Sequence, residues 1–144
     1  MPPRPTSSRL DDELRASIRS RGLRATPARV AVLRLLALAA KPMSHAELFV
    51  QLPTEADRTT VFRALGALTS ARLVLRVEVG DRVWRYTRAR RESGIDAVTT
   101  TFVCTECGRV QELAGIALSS TEGPRAIRRG AVEVFIHGRC DDCA

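Results

Sequence analysis

Two cysteine pairs, Cys104 with Cys107 in "CTEC" and Cys140 with Cys143 in "CDDC", constrain this chain more than any other feature it carries. They are its only cysteines, and both pairs have C-x-x-C spacing. Such a turn presents two thiolates to one metal ion while backbone N–H groups stabilise their charge, and zinc prefers four tetrahedral sulfur or nitrogen ligands. Residues 108 to 139 separate the pairs, a longer interval than in a compact zinc ribbon. A shared ion therefore ties the C-terminus of its domain back to that domain's first strand. The same thiolates could instead serve a redox switch, oxidising to disulfides with loss of metal. The opening "MPPRPTSSRLDDELRAS" is polar throughout and shows no export signal, so thiolate ligation is expected over disulfides.

The 144 residues suffice for one ordinary domain or two small ones leaning on each other. No 20-residue apolar span is present, and a soluble, cytoplasmic protein with no membrane association is expected. Lys and Arg total 23 against 16 acidic residues, a net charge of +7, and every basic residue except Lys41 is Arg. A balance of that size favours a polyanionic partner, and Arg suits bidentate contacts to phosphate and to guanine edges. An enzyme is not expected: there is no Ser-His-Asp set, no phosphate-cradling glycine loop and no cysteine paired with a plausible base.

Residues 1–9, with three prolines, read as a flexible arm. Leu14, Ile18 and Leu23 mark a first helix ending near Gly22. Thr26 as N-cap and Pro27 in the first turn start a second helix, with Val30, Leu33, Leu36 and Leu38 as its apolar face. Ser44 and Glu47 form the capping box of a third, "HAELFVQL". A fourth, "TEADRTTVFRALGALTSARL", turns Val61, Leu65 and Leu68 inward and carries Arg58, Thr59, Thr60, Phe62 and Arg63 around its start and outer face. The alternation in "LVLRVEVGDRVWRYTR" about Gly80 and Asp81 predicts a two-stranded hairpin. Helices followed by a hairpin are the order of a winged helix-turn-helix, which sets one helix in the major groove with a wing beside it. Thus residues 10–87 read as a DNA-binding domain, 88–98 as a hinge, and 99–144 as a small α/β domain with strands in "TFVC", "RVQEL" and "AVEVFIHG". The whole is an α/β (α+β) chain.

In series, "GLRATPARVAVLRLL", "TTVFRALGAL", "LVLRVEVGDRVWRYT", "FVCTECGRVQEL" and "VFIHGRCDDC" resemble the successive motifs of the ferric uptake regulator (Fur) family, across residues 22–143. The resemblance implies a homodimeric repressor or activator whose winged helix binds an inverted-repeat operator on double-stranded DNA and whose C-terminal domain dimerises. It implies one structural zinc per chain on Cys104, Cys107, Cys140 and Cys143. Thr60, Val61, Phe62 and Arg63 match the family's T-V-Y-R motif at the recognition helix. Phe62 replaces Tyr there, keeping an aromatic face for a thymine methyl without the hydroxyl. Arg29 matches the T-P-x-R arginine. Arg58, from its place at the helix start, joins the expected DNA-facing set, and Arg82 and Arg85 are expected to supply phosphate contacts from the wing.

Two departures accompany the resemblance. Many members carry a histidine-rich run before the first cysteine pair, which binds the sensed metal together with a histidine from the DNA-binding domain and a glutamate after the cysteines. Here the matching positions are Val98, Thr99, Thr100 and Thr101, the DNA-binding-domain position falls near Lys41 or Pro42, and only Glu112 matches. None of the replacements is a good first-row metal ligand, so a degraded or absent sensing site is expected. The two histidines, His45 and His137, are expected to form hydrogen bonds rather than ligate. Further, Gly123 and Pro124 interrupt the segment where the family has a continuous helix, so that helix is short, begins near Pro124, or is broken. The competing expectation is a thiol-based redox or zinc-reservoir protein using the same four cysteines.

Overall fold

Leu10, Leu14 and Ile18 recur at the four-residue spacing of one helical face and form the buried side of α1 (Ser7–Ser20). The computed structural model describes residues 7–53, 56–89, 99–113, 123–125 and 132–144. Helix α1 begins at Ser7, so the last three residues of the expected arm are helical; residues 1–6 lie outside the described set. It ends as Gly22 takes φ +75, with Gly22 N–H donating to Arg19 O and Leu23 N–H to Ile18 O. That left-handed cap needs glycine because a Cβ would strain it.

In α2 (Pro27–Leu38), Thr26 Oγ1 accepts from Arg29 N and Pro27 occupies the first turn, as expected. The expected apolar face is corrected at one end: Leu38 is 68% exposed, and Val32 is fully buried instead. Only Arg29 and Arg34 interrupt the apolar run of this helix, so its period does not define a face; packing against both α1 and α4 does. Arg34 also clamps α1 to α2 through both guanidinium branches on Asp11, with Nε to Oδ1 at 2.7 Å.

The strand β1 (Met43–Ser44) leads into α3 (His45–Gln51), whose capping box is complete: Ser44 Oγ accepts from Glu47 N at 3.2 Å, and Glu47 Oε2 from Ser44 N at 2.7 Å. The fourth helix, α4 (Arg58–Ser70), starts later than the expected Thr54, because the Asp57 carboxylate accepts from Thr60 N at 2.6 Å and fixes the N-cap there. Val61, Leu65 and Leu68 are buried as expected, in one core with Leu14, Ile18, Leu33 and Leu48.

The hairpin forms from β2 (Val74–Val77) and β3 (Arg85–Arg88), antiparallel with Val77 opposite Arg85. The sheet around it has a third strand that was not expected: β1 pairs with β3, giving the order β1-β3-β2. A two-residue strand carries no alternation, so only tertiary pairing reveals it. Nor is the turn confined to Gly80 and Asp81. Glu78 Oε1 accepts from Gly80 N at 2.9 Å and Arg82 N at 2.8 Å, while Asp81 Oδ1 accepts from Val83 N at 3.1 Å. These side chains take donors that a longer ladder would have used, and the loop 78–84 results.

The second sheet contains β4 (Thr99–Cys104), β5 (Val110–Leu113) and β6 (Glu133–Gly138) in the order β5-β4-β6. β5 runs antiparallel and β6 parallel to the central β4. The expected hinge beyond Ala89 and most of the segment between the cysteine pairs lie outside the described residues. Within that segment Gly123 has φ +113 and Arg125, after Pro124, is helical. No described helix is long and apolar enough to cross a membrane.

Candidate nucleic-acid interface and metal centre

Parallel pairing of β4 with β6 brings the two cysteine pairs to the same end of the sheet. Cys104 closes β4 opposite Gly138, and Thr105 N donates to Gly138 O at 2.9 Å, so the two cysteine turns begin side by side. Gly108, at φ +72, turns the chain after Cys107 so that Cys104 N meets Arg109 O at 2.8 Å. The four Sγ atoms all lie within 4.8 Å of one another, and Cys107 and Cys140 are 3.7 Å apart. A tetrahedral ion with sulfur bonds of about 2.3 Å spaces its ligands by about 3.8 Å, so the donor set fits a four-thiolate metal.

The electrostatics agree with that fit. The backbone N–H of Cys107, helped by those of Cys140 and Glu106, lowers the Cys104 thiol to about 6 against the opposing effect of burial. Cys143 is raised to about 12, first by hydrogen bonding with Cys140 and then with Cys107. Four thiols this close do not all ionise on their own, whereas a coordinated thiol is deprotonated outright. Arg109 with Asp142, and Arg139 with Glu106 at 3.3 Å, join the two turns across the cluster.

The other candidate surface lies on α4. Arg58, Thr60, Phe62 and Arg63 are all exposed, and Phe62 is 63% so, which removes a core-packing role for it. The Arg58 guanidinium lies 4.8 Å over the Phe49 ring. His45, at the start of α3, meets Phe62 edge-on with centroids 6.1 Å apart, and its Nε2 donates to Arg58 O at 3.3 Å. Helix α3 thus braces the first turn of α4 from one side.

The remaining expected contacts fare differently. Arg29 is half-buried at the head of α2, its Nη1 donating to Arg24 O at 2.8 Å. Arg82 is exposed on the wing at φ +61. Arg85 is bound to Asp81 at 2.7 Å and its side chain is only 26% exposed, so it holds the wing loop rather than standing free.

A winged helix in series with a four-cysteine α/β unit invites comparison with known proteins. The profile of the ferric uptake regulator family matches residues 20–132. The chain belongs to the ferric uptake regulator family. Members are transcription regulators, not enzymes, as the sequence led one to expect. The fold is also that of the holo form of XcZur, at 25% identity and TM-score 0.69, with 92% of this chain and 96% of that one covered. A zinc uptake regulator complexed with zinc and DNA shares it at 24% identity and TM-score 0.67, over 96% and 95% of the two chains. So does Fur of Helicobacter pylori, at 20% and 0.54, over 99% and 97%. Among curated proteins none matches significantly.

Within this Fur-family fold, Thr99, Thr100 and Thr101, three of the four residues expected to match the histidine-rich run, open strand β4, where Thr100 and Thr101 are buried; the fourth, Val98, lies outside the described residues. Glu112 lies opposite Thr101 on β5 and lines a cavity of about 690 Å3 together with Lys41, Pro42 and Arg88. His45 sits at α3 and His137 is exposed on β6; among the described residues neither joins a metal-binding group, and the four cysteines do. Sequence reasoning missed His45 and Phe49 as braces of the recognition surface, since their docking onto α4 is tertiary. It also missed the stacking of Arg76 on Trp84, a contact that the pairing of Arg76 with Tyr86 in the ladder does not announce.

Proposed function

We propose that this Fur-family chain is a homodimeric, sequence-specific DNA-binding transcription regulator of the cytoplasm that recognises an inverted repeat. Residues 10–87 form the DNA-binding unit, 88–98 the hinge and 99–144 the dimerisation unit. Arg58, Thr60, Phe62 and Arg63 read the major groove, while Arg29 and Arg82 contact phosphates. Arg85 contributes by fixing the wing loop. One zinc per chain is held by Cys104, Cys107, Cys140 and Cys143, where it supplies folding free energy and ties β4 to the C-terminal turn. The family's sensing site is degraded: buried threonines and Lys41 stand where nitrogen ligands would be needed, and metal binding does not set the spacing of the two DNA-binding units.

The outward face of α4, with four exposed groups suited to DNA and no core duty among them, carries this reading. Duplexes selected from a random pool by the intact protein test it. Arg63→Ala weakens binding to the selected duplex by about 1–3 kcal/mol, and unchanged affinity would refute the assignment. Elemental analysis should give one zinc per chain that survives mild chelation. A second, chelator-labile metal would overturn the loss of sensing.

A further inference from the structure

The wing carries an exposed apolar tip that the fold does not use. Val83 and Trp84 are 41% and 48% exposed, adjacent in the loop between β2 and β3. Trp84 is the chain's only tryptophan. Above its ring lies the Arg76 guanidinium, 4.0 Å from the centroid, reaching from an exposed position on β2. The loop presenting them is organised by the Glu78 and Asp81 carboxylates, and Arg85 is held by Asp81. Leaving about half of an indole in water forfeits apolar burial, so a partner is the physical expectation.

Charge selects the partner. A guanidinium stacked on an indole keeps its N–H donors free at the edge of the stack, where a phosphate can take two of them. The indole Nε1–H is a donor only, and Arg82 adds a further cation in the same loop. A second copy of this wing would set Arg76 and Arg82 against the same cations. We infer that Trp84 and Arg76 form a stacked clamp by which the wing grips the sugar–phosphate backbone of duplex DNA beside the site read by α4. This inference rests on the DNA-binding reading above and assigns the wing's main contact to residues other than Arg85.

The full chain is titrated with a dye-labelled random-sequence duplex and with one selected by the protein, following dye anisotropy and Trp84 emission together. Emission should change in step with anisotropy for both duplexes. Arg76→Gln and Trp84→Ala should weaken both by a similar factor, about 10-fold, and Arg76→Gln should lower the salt slope by about 1. Trp84→Phe, which keeps a stacking face, should fall between Trp84→Ala and the parent. Thermal unfolding of each variant separates lost contact from lost fold. Salt-dependent anisotropy with unchanged emission, or undiminished affinity in folded Arg76→Gln, would overturn the clamp and leave the DNA-binding reading intact. No anisotropy change on any duplex would overturn both.

Discussion

Asp57 shows how one side chain sets the start of the recognition helix. Its carboxyl lies below the ordinary 3.8, chiefly because Thr60 N–H donates to it, then the Thr60 side chain, with the Arg63 charge adding to the effect. A group depressed in the folded state stabilises it above the unfolded value, and that contribution disappears as pH falls through the folded one. The stability difference between the parent and Asp57→Asn should therefore hold steady from neutral pH to about 4 and shrink below that, as measured by urea unfolding at a series of pH values. A difference that grows on acidification would contradict the assigned cap. From the sequence this residue was expected inside the helix, not at its cap. That it closes the first turn is shown by its carboxylate accepting from Thr60 N.

At the scale of elements, α4 is held by burial more than by propensity. Gly66 and two threonines lie in its first nine residues, yet Val61, Leu65 and Leu68 are at most 1% exposed. Leu65→Ala should destabilise the protein by about 2–5 kcal/mol, the usual cost of a cavity in such a core, read from the shift in the urea midpoint at constant slope. The periodicity of α1 and α4 was readable because polar residues interrupt it; that of α2 was not, since apolar residues surround it, so Leu38 was expected inward and Val32 was not. The wing shows the converse. Its strands were visible in alternation, but Glu78 and Asp81 took the backbone donors of the turn, shortening the ladder and lifting Trp84 out of it.

For the whole molecule, the described core residues of the winged helix run from Leu10 to Val74 and owe nothing to the cysteines. The β5-β4-β6 sheet, by contrast, gathers Cys104, Cys107, Cys140 and Cys143 at one end, where the proposed zinc would tie it. Cys104→Ser should lose bound zinc, unfold the C-terminal sheet and yield monomers on gel filtration, while the helical signal of the winged helix persists. A folded, dimeric, zinc-loaded variant would count against the whole centre. Removal of zinc from the parent with a strong chelator should reproduce the effect.

The sequence by itself determined the four helices and the hairpin that follows them, the helix caps at Thr26 and Ser44, the two cysteine pairs and the outward arginines of α4, because each is written in local spacing and side-chain chemistry. Tertiary structure decided what depends on contacts between distant segments. The joining of β1 to the wing, the parallel pairing that brings Cys104 beside Cys140, the bracing of Phe62 by His45, and the stacking of Arg76 on Trp84 are of that kind. No local pattern encodes a partner many residues away, and only the packed chain supplies it.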